Sequence, residues 1–598
     1  MQSPGARFLV GFLITTSLLA STTTFSAQQI EQTEPEWLER SNAIAYRVLE
    51  MSAGFAPEFA AQQGIEGLDE DIFDLAPNRY ERQQAVEQEK LEYLEEMLAA
   101  EEDPRVILDI EIMIKAVRDN IESNRINHER VSQYGNFAGV VFFGLSGLLD
   151  KQIPAERQQA ALVRLRKYTG QADGYLPFTE GVKSLLTERD DVDGLIQPYA
   201  GEVEQHLERA PMMIDGIPGL FEAAGLEGWE EDYELLTEQF AEYNEWVRET
   251  ILPRARANAA LPRELYELGL KNWGVDAAPE ELIRTGQIAF TNIRNEMMAI
   301  APLIAAERGW EISDYRDVIR RLNREQAQGG KLVEAYREVM EELDIIIERE
   351  GLATLPDEAA QMRMATPAET AQQPAAHLKT PRLVGNTGEF PEFIVPYIPQ
   401  NEDGSWPQND YAVLAGMWTL SAHEARPGHE MQFTTMLQGG VSIARATFAF
   451  NSANVEGWAL YAEAISKPYM PLEGQLYSLQ ARLLRAARIW LDPMLNLGLI
   501  TPDEAKRVLM EDVMEGESNA QNEIDRYTFQ IPGQATAYYY GYEHLQALRA
   551  QTELRLKDQF NQKDYHDFIL AQGLLPPDLL EDAIERNFIT PQLSSQSR

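Results

Sequence analysis

The segment His423-Glu-Ala-Arg-Pro-Gly-His429 contains the residue types that point most directly to a chemistry. The chain of 598 residues has seven histidines, and two of them lie in this segment, with Glu424 directly after the first. Two imidazoles and a neighbouring carboxylate supply what a zinc hydrolase needs, namely two metal ligands and one general base. The segment therefore predicts that His423 and His429 bind a metal and that Glu424 accepts a proton.

The spacing of the two histidines requires an interruption of the helix. In the common motif His-Glu-x-x-His the histidines are four residues apart and project from one helix face. Here they are six apart, which on a regular helix means about 240° of rotation and about 9 Å of rise, too far for one ion. Pro427 has no N–H, and its ring would clash with the carbonyl of residue 423 in a regular helix. We therefore predict a kink at Pro427-Gly428 that returns His429 to the side of His423.

A glutamate further along the chain fits the role of third ligand, which a catalytic zinc usually has. Glu456 and Glu463 are seven residues apart in an apolar segment, so they share one face of a predicted helix. Burying two carboxylates there is costly unless a cation compensates. We predict that Glu456 is the third ligand and that Glu463 orients a ligand as a neighbouring partner. A solvated carboxylate on the helix surface is the equal alternative for Glu463.

Phenols and guanidinium groups are predicted to contact the substrate. The segment from Pro532 to Tyr542 is rich in tyrosine and framed by glycines. A phenol directed at a tetrahedral oxyanion would share its stabilisation with the metal, although such clusters are also typical of core packing. Arg526, like Arg485 and Arg488, has the planar guanidinium group that suits a substrate carboxylate. We predict that Arg526 and Tyr542 bind substrate; structural ion pairs are the alternative for the arginines of so acidic a chain.

Four motifs in this order resemble the bacterial domain of unknown function 885 (DUF885) family: His-Glu-x-x-Pro-Gly-His, Glu-Gly-Trp-Ala-Leu-Tyr-x-Glu, Arg-Tyr and Pro-Gly-Gln-Ala-x-Ala-Tyr. The likeness covers roughly residues 40–590. That family is similar to the helical zinc metallopeptidases of the gluzincin type. The resemblance implies a large, mainly α-helical fold with a central channel and a peptidase activity that uses one Zn²⁺ per chain. It also implies His423, His429 and Glu456 as ligands, Glu424 as the base and Tyr538 as the donor to the oxyanion.

Two positions depart from the family pattern. The family usually has a second histidine directly after Pro-Gly-His, where this chain has Glu430. It commonly has Asp-Thr-Gly-Leu-His where this chain has Asp492-Pro-Met-Leu-Asn496. Glu430 could still bind the metal as a carboxylate or act beside the ligands, and Asn496 can form hydrogen bonds but cannot transfer protons. Impaired activity is therefore an open alternative for this member.

The elements that position these residues are predicted to be mostly helices. Apolar residues recur with helical period through residues 41–130, 155–350 and 475–595. Eight prolines between residues 351 and 410 exclude long helices there, and Glu392–Val395 is a candidate strand. We predict a mainly α fold with a small β element near residues 380–413. The edge of such a sheet could receive an extended peptide, and a simple connector is the alternative.

The first 27 residues are predicted to be a secretory signal peptide. Arg7 precedes a short apolar run, and small residues continue to Ala27. An uncleaved membrane anchor is the alternative. The rest of the chain divides by sequence into an N-terminal helical region, residues 28–350, and a catalytic region, residues 351–598, in one compact unit. The mature chain is expected in the periplasm or outside the cell.

The composition of the chain excludes several kinds of covalent bond, metal site and partner. The chain has no cysteine, which excludes disulfides, a lipid-modified cysteine and cysteine-ligated zinc. Its formal charge of −44 argues against binding to nucleic acid or to an anionic membrane. Attraction of cationic substrates or adaptation to salt would also fit this charge, but a soluble charged surface is the favoured interpretation.

Three functional hypotheses follow from these observations. The first is a zinc-dependent peptidase that hydrolyses short peptides with metal-activated water. The second is a non-catalytic envelope protein that keeps the fold and binds peptides. The third is a metal-free hydrolase with paired carboxylates such as Glu456 and Glu463. The ligand set does not distinguish zinc from manganese or cobalt.

Overall fold

The structure, a computed structural model, describes residues 35–150, 153–373, 375–386 and 388–595. The predicted signal peptide at residues 1–27 lies outside the described residues. Within those ranges, no helix is long and apolar enough to cross a bilayer. The chain is mainly α-helical with a small three-stranded sheet, which confirms the fold class expected from the apolar periodicity.

The chain divides into two compact units. Unit 1 comprises the described residues up to Ala259, with the short additions 382–388 and 442–444. Unit 2 comprises residues 260–381, 389–441 and those from Arg445 onward. Residues 260–350, which the sequence division placed in the N-terminal region, are thus in the same unit as the histidine segment.

Unit 1 has an apolar, aromatic core to which Tyr168, Phe178 and Phe221 contribute fully buried rings. Asp103 begins its longest helix by accepting a hydrogen bond from the N–H of Arg105, which satisfies one of the free donors of the first turn. The helices are α1 (Glu36–Ala53), α2 (Pro57–Gln62), α3 (Arg79–Ala100), α4 (Pro104–Arg130), α5 (Phe137–Leu148), α6 (Ala155–Gln158), α7 (Ala160–Tyr168), α8 (Phe178–Thr187), α9 (Ala200–Asp215), α10 (Ile217–Ala224) and α11 (Glu230–Thr250).

Unit 2 contains the histidine segment and the other motifs. Its helices are α12 (Arg263–Asn272), α13 (Pro279–Glu307), α14 (Tyr315–Leu322), α15 (Leu332–Glu350), α16 (Pro367–Gln372), α17 (Gly416–Glu424), α18 (His429–Gly439), α19 (Ser452–Ser466), α20 (Leu472–Asn496), α21 (Pro502–Val508), α22 (Glu517–Asp525), α23 (Thr536–Leu556), α24 (Gln562–Ala571), α25 (Pro577–Ala583) and α26 (Thr590–Ser595). The main core joins α13, α19, α20 and α23, with fully buried leucines at Leu460, Leu479 and Leu483.

Two glycines let α19 and α23 touch backbone to backbone. A β-carbon at Gly541 would lie 1.8 Å from the carbonyl oxygen of Ala453, and one at Gly457 would lie 2.7 Å from the α-carbon of Gly541. Any larger residue at either position would push the helices apart. Because α19 carries Glu456 and α23 carries Tyr538, this contact fixes the distance between the backbones that position those two side chains.

The sheet consists of β1 (Gln361–Met364), β2 (His377–Lys379) and β3 (Glu392–Val395) in the order β1-β3-β2. β3 pairs parallel with β1, Met364 opposite Val395, and antiparallel with β2, Leu378 opposite Phe393. The predicted strand at 392–395 is thus confirmed and is the central one. Its Phe393, Ile394 and Val395 are fully buried, so both faces of the central strand are covered.

Candidate metal centre

A sharp turn between α17 and α18 brings the two histidines together. α17 ends at Glu424 and α18 begins at His429, so Pro427 and Gly428 lie between two helices and not within one. A β-carbon at Gly428 would lie 1.9 Å from the carbonyl oxygen of His423, so only glycine fits this turn. The imidazole ring centres of His423 and His429 are 4.9 Å apart. The helix is interrupted where the proline predicts it.

Trp458 attaches the turn to the helix that carries the third predicted ligand. Its indole N–H donates a hydrogen bond of 3.0 Å to the carbonyl oxygen of Pro427. Trp458 is two residues after Glu456 on α19, and its side chain is almost fully buried. The side chain of Trp458 therefore connects the backbone of the turn to α19, two residues from Glu456.

Three buried side chains converge at the end of α17. Nε2 of His423 lies 3.6 Å, and Nε2 of His429 3.4 Å, from Oε2 of Glu456. One ligand atom from each of the three lies within 4.8 Å of the others. Their residues are only 2–6% exposed. Two nitrogens and one carboxylate oxygen in this arrangement match the protein ligand set of a catalytic zinc, which leaves one position open.

The electrostatics of the cluster favour positive charge between these atoms. Oε2 of Glu456 is buried and accepts no hydrogen bond from any residue in the described ranges. Burial alone would lower the pKa of His423, but the nearby carboxylates of Glu456 and Glu463 outweigh burial and raise the pKa to about 9. Burial would raise the pKa of Glu456, yet the two histidines lower it well below its usual value. Positive charge at this point is thus strongly favoured, and a divalent ion would supply it in place of protons.

Glu463 orients His423 through Nδ1, the ring nitrogen that does not face Glu456. Its Oε1 lies 2.7 Å from Nδ1 of His423, and its Oε2 accepts a hydrogen bond of 2.6 Å from the hydroxyl of Thr419. A guanidinium nitrogen of Arg485 lies 3.8 Å from the same carboxylate. Because Nδ1 is engaged in this way, Nε2 of His423 faces Glu456. Carboxylate partners of this kind fix the orientation of imidazoles that bind metals.

Glu424 is positioned by the edge of the sheet. Its Oε2 accepts a hydrogen bond of 3.0 Å from the backbone N–H of Leu378 in β2, which lies at one edge of the sheet. Glu424 is partly exposed, whereas the three converging residues are buried. The predicted base thus directly follows the predicted ligand His423 in the chain and lies beside a strand edge.

Tyr538 faces the cluster from α23. Its ring is nearly parallel to that of His423, with ring centres 6.4 Å apart. A guanidinium N–H of Arg526 donates a hydrogen bond of 2.9 Å to the phenol oxygen. Arg526 also donates to the side-chain oxygen of Gln534, whose amide in turn donates to Ser452 on α19. This chain of bonds ties the phenol to the helix that carries Glu456.

Three arginines surround the ring of Tyr538. The guanidinium carbons of Arg488, Arg526 and Arg485 lie 4.4, 5.3 and 5.8 Å from the ring centre. Arg488 donates two hydrogen bonds of 2.7 Å to Glu523. Burial raises the pKa of Tyr538, although Arg526 opposes the shift. The phenol therefore keeps its proton at neutral pH.

The sequence profile of a family described as "Bacterial protein of unknown function (DUF885)" matches residues 57–584. The chain belongs to this family. The identification made from the four motifs is thereby confirmed, while the likeness to gluzincin peptidases stays a prediction.

Two solved structures share the fold of this DUF885 protein. A protein from Shewanella oneidensis, described as a lipoprotein of unknown function, is 17% identical and superposes with a TM-score of 0.72, covering 92% of this chain and 100% of its own. One from Colwellia psychrerythraea, described as a lipoprotein, is 18% identical with a TM-score of 0.69, covering 92% of this chain and 98% of its own. At such identities the likeness establishes the fold alone. The curated proteins contain no match to the chain.

Three residues singled out in the sequence of this DUF885 protein lie outside the cluster. Glu430 accepts hydrogen bonds from Arg426 and Thr434, so its carboxylate has partners other than the three converging residues. Tyr542 lies one turn beyond Tyr538 with a guanidinium group over its ring. Asn496 is buried.

The amide of Asn496 donates to the backbone and side chain of Asp492 and to the carbonyl of Tyr527. These bonds give Asn496 a structural role in the packing of α20 against the segment before α23.

The sequence did not indicate several contacts that build the centre in this DUF885 protein. The N–H of Leu378 binds Glu424 from 46 positions away, and Thr419 binds Glu463 from 44 away. The hydrogen bond from Trp458 to the carbonyl of Pro427 was likewise not predicted, although Trp458 belongs to the motif Glu-Gly-Trp-Ala-Leu-Tyr-x-Glu. Only the segment's apolar composition, with Trp458 between two glutamates, hints that it packs beside the site.

Proposed function

We propose that this DUF885 protein is a zinc-dependent peptidase that hydrolyses short peptides. The observation that carries the proposal is the convergence of the buried side chains of His423, His429 and Glu456, with Glu424 directly after His423 in the chain. His423, His429 and Glu456 would hold the ion. A zinc ion in such a set acts as a Lewis acid and lowers the pKa of water.

Glu424 would act as the general base. Its bond to Leu378 engages Oε2, so Oε1 would take the proton from the attacking water. The same carboxyl group would then pass the proton to the departing amine. A substrate that lies along β2 in extended form would present its scissile carbonyl close to Glu424, since strand edges bind peptides by backbone hydrogen bonds.

Tyr538 would donate a hydrogen bond to the developing oxyanion. Arg526 donates to the phenol oxygen, so that oxygen already has a donor and its own hydrogen is left to donate. A neutral phenol held in this way is a preorganised donor of the kind that stabilises a tetrahedral oxyanion.

The arginines around Tyr538 favour a substrate with a carboxylate. Arg485, Arg488 and Arg526 lie together at the site, whereas the bidentate partner of Arg488 is a single carboxylate, Glu523. A free peptide C-terminus would provide a further anion beside Glu523 and Glu463, the latter 3.8 Å from Arg485, and guanidinium groups bind carboxylates in bidentate fashion. We therefore include removal of residues next to a free C-terminus in the proposed activity.

The proposed location is the periplasm or the cell exterior. The signal peptide predicted at residues 1–27 supports export, and both structural relatives are described as lipoproteins. A lipid anchor on cysteine is excluded for this sequence because it contains none.

Metal content and hydrolysis together test the proposal. Purified protein is analysed for bound metal by mass spectrometry, with His429→Ala as the variant and His544→Ala as the control. His544 is also in unit 2, but its ring contacts the carbonyl of Pro577 and not the cluster. We expect about one zinc per chain in the wild type and in the control, and loss of zinc in His429→Ala.

Hydrolysis of short synthetic peptides is then measured with Glu424→Gln. We expect this variant to keep its zinc and lose about 10²- to 10⁴-fold in turnover. Stoichiometric zinc without hydrolysis of any peptide would contradict the proposal and favour a peptide-binding protein. Hydrolysis that resists chelators would favour the metal-free alternative.

A further inference from the structure

A fully buried aspartate lies outside the metal cluster. Asp492 is on α20 and is 0% exposed. Its carboxylate accepts hydrogen bonds from three uncharged donors, namely the hydroxyl of Tyr266, the side-chain amide of Asn496 and the backbone N–H of Gly533. Burial outweighs these bonds and raises the pKa of Asp492 to about 7. Since burying a carboxylate costs free energy, fold stability alone does not account for an aspartate at this position.

The bond to Gly533 holds the turn that precedes α23. The backbone nitrogen of Gly533 lies 3.1 and 3.0 Å from the two carboxylate oxygens of Asp492, so both oxygens share its N–H. Gly533 has a φ of +84°, in the left-handed region that favours glycine. Its carbonyl oxygen accepts a hydrogen bond of 2.7 Å from the hydroxyl of Thr536 in α23. Asp492 therefore binds the central residue of the turn 531–535.

Contacts lead from this turn to the guanidinium group of Arg526. Gln534 directly follows Gly533 and is 4% exposed. Its side-chain oxygen accepts a hydrogen bond from Arg526, and its amide donates one of 2.8 Å to Ser452. Because Gln534 belongs to the turn, a shift of the turn would displace an acceptor of Arg526.

A second set of contacts leads from Asp492 to the backbone beside Arg526. The amide of Asn496 donates a bond of 2.9 Å to Asp492 and another of 2.9 Å to the carbonyl oxygen of Tyr527. Tyr527 directly follows Arg526 in the chain. One carboxylate is thus linked to the backbone next to Arg526 and, through the turn, to its guanidinium group. Arg526 in turn donates a bond of 2.9 Å to the phenol oxygen of Tyr538.

We propose that Asp492 is a positioning residue that sets the orientation of the Tyr538 phenol through Arg526. This rests on the proposed function, in which Tyr538 donates to the oxyanion. The charged form of Asp492 is the one required, because both of its oxygens then accept hydrogen bonds and neither donates. Asp492 itself takes no part in the bond changes of the reaction.

Hydrogen exchange of the variant Asp492→Asn tests whether the carboxylate holds the turn. The substitution keeps the side-chain size but replaces one acceptor by N–H groups, which in either orientation face a donor, Gly533 or Asn496. We expect the segment 531–535 to exchange at least about ten-fold faster, because a charged hydrogen bond is lost, while α13 exchanges as in the wild type. Unchanged exchange of this segment, or an equal acceleration in α13, would overturn the proposal.

Peptide hydrolysis by the zinc-loaded full chain tests whether the effect reaches the phenol. Loss of one oxyanion donor costs about 10²- to 10³-fold in kcat, which is the decrease we expect for Tyr538→Phe. Asp492→Asn should lower kcat at least about ten-fold and leave KM within about three-fold, because the oxyanion forms only in the transition state. A change in KM alone contradicts a positioning role toward Tyr538.

The double variant Asp492→Asn/Tyr538→Phe separates positioning from general destabilisation. If Asp492 acts through the phenol, the kcat of the double variant should stay within about two-fold of that of Tyr538→Phe. Thr552→Val is the matched control on α23, because it removes a buried hydroxyl that donates a bond of 2.7 Å to the carbonyl of Leu548. It should change kcat by less than about two-fold with or without Tyr538→Phe. Effects of Asp492→Asn and Tyr538→Phe that multiply would overturn the proposal.

The two assays distinguish failure of this proposal from failure of the proposed function. A wild type that hydrolyses no peptide would refute the peptidase and, with it, the role of Asp492 in the reaction. Hydrolysis by the wild type with an unchanged kcat in Asp492→Asn would leave the peptidase intact and refute the positioning role alone.

Discussion

Glu463 should control zinc affinity although it is not a proposed ligand. It is 1% exposed, lies 2.7 Å from Nδ1 of His423 and accepts a 2.6 Å bond from Thr419. Glu463→Gln keeps the size and one acceptor oxygen but removes the charge. His423 then loses a charge-assisted bond and part of its basicity. Loss of such a partner costs about 10- to 100-fold in metal affinity, which corresponds to about 1.4–2.8 kcal/mol.

The assay is competition for zinc between the protein and a coloured chelator at fixed pH. Glu523→Gln is the matched control: Glu523 is also a buried carboxylate of unit 2, but it bonds Arg488 and Tyr527 and none of the three ligands. We expect its zinc affinity to stay within about two-fold of the wild type. The reasoning is refuted if Glu463→Gln binds zinc as tightly as the wild type. It is refuted equally if both variants weaken binding to the same extent, because the effect would then come from general destabilisation.

Three further predictions concern the turn, the arginines and a buried histidine. Gly428→Ala should lose zinc, because its β-carbon would lie 1.9 Å from the carbonyl oxygen of His423. The control Gly439→Ala, whose β-carbon meets no described atom within 4 Å, should keep it. The measurement is zinc per chain. Amidation of a peptide's C-terminus should raise KM about ten-fold in the wild type, because one charged hydrogen bond is lost. In Arg485→Gln the free and the amidated peptide should have the same KM. Equal KM values for both peptides in the wild type would exclude carboxylate recognition. Burial lowers the pKa of His566 to about 4, so the unfolded chain takes up a proton below its pKa of 6.5 while the folded chain does not. Stability from this group is therefore lost as pH falls from 6.5 toward 4, by about 1.4 kcal/mol per pH unit. Urea unfolding at pH 7 and pH 5 should show a loss of stability that is smaller in His566→Gln by about 2 kcal/mol, since other buried histidines such as His206 keep their own contribution.

Local chemistry made much of the candidate metal centre predictable. Pro427 forbids a regular helix by its own covalent structure, and the turn lies where this constraint requires it. Glu456 and Glu463 share a helix, so their spacing alone places both carboxylates on the same face. These inferences needed no knowledge of distant residues.

Long-range contacts were not predictable in the same way. The bond from Leu378 to Glu424 depends on how a short strand packs against α17, which no local pattern encodes. Arg526 was predicted to hold substrate, and the structure shows it bonded to Tyr538. Guanidinium groups have several donors, so their sequence position does not reveal which acceptors they reach.

The ion pair between Arg426 and Glu430 forms across the break between α17 and α18. Arg426 and Glu430 are four residues apart, a spacing that indicates an ion pair on a helix. Residues 425–428 are not helical, yet the charged groups of Arg426 and Glu430 meet at 2.7 Å. The pair spans the turn and, together with Gly428, sets where α18 begins. A carboxylate that bridges the turn is thus part of the frame that holds His429.

The net charge of the chain and the charge of the site point to different substrates. A formal charge of −44 taken alone favours cationic partners. Charges on the surface are screened over about 8 Å at physiological ionic strength, however, and buried groups are screened much less. Three guanidinium carbons lie 4.4–5.8 Å from the ring centre of Tyr538, well inside that distance. We therefore expect these arginines to favour a carboxylate next to the phenol in spite of the acidic surface.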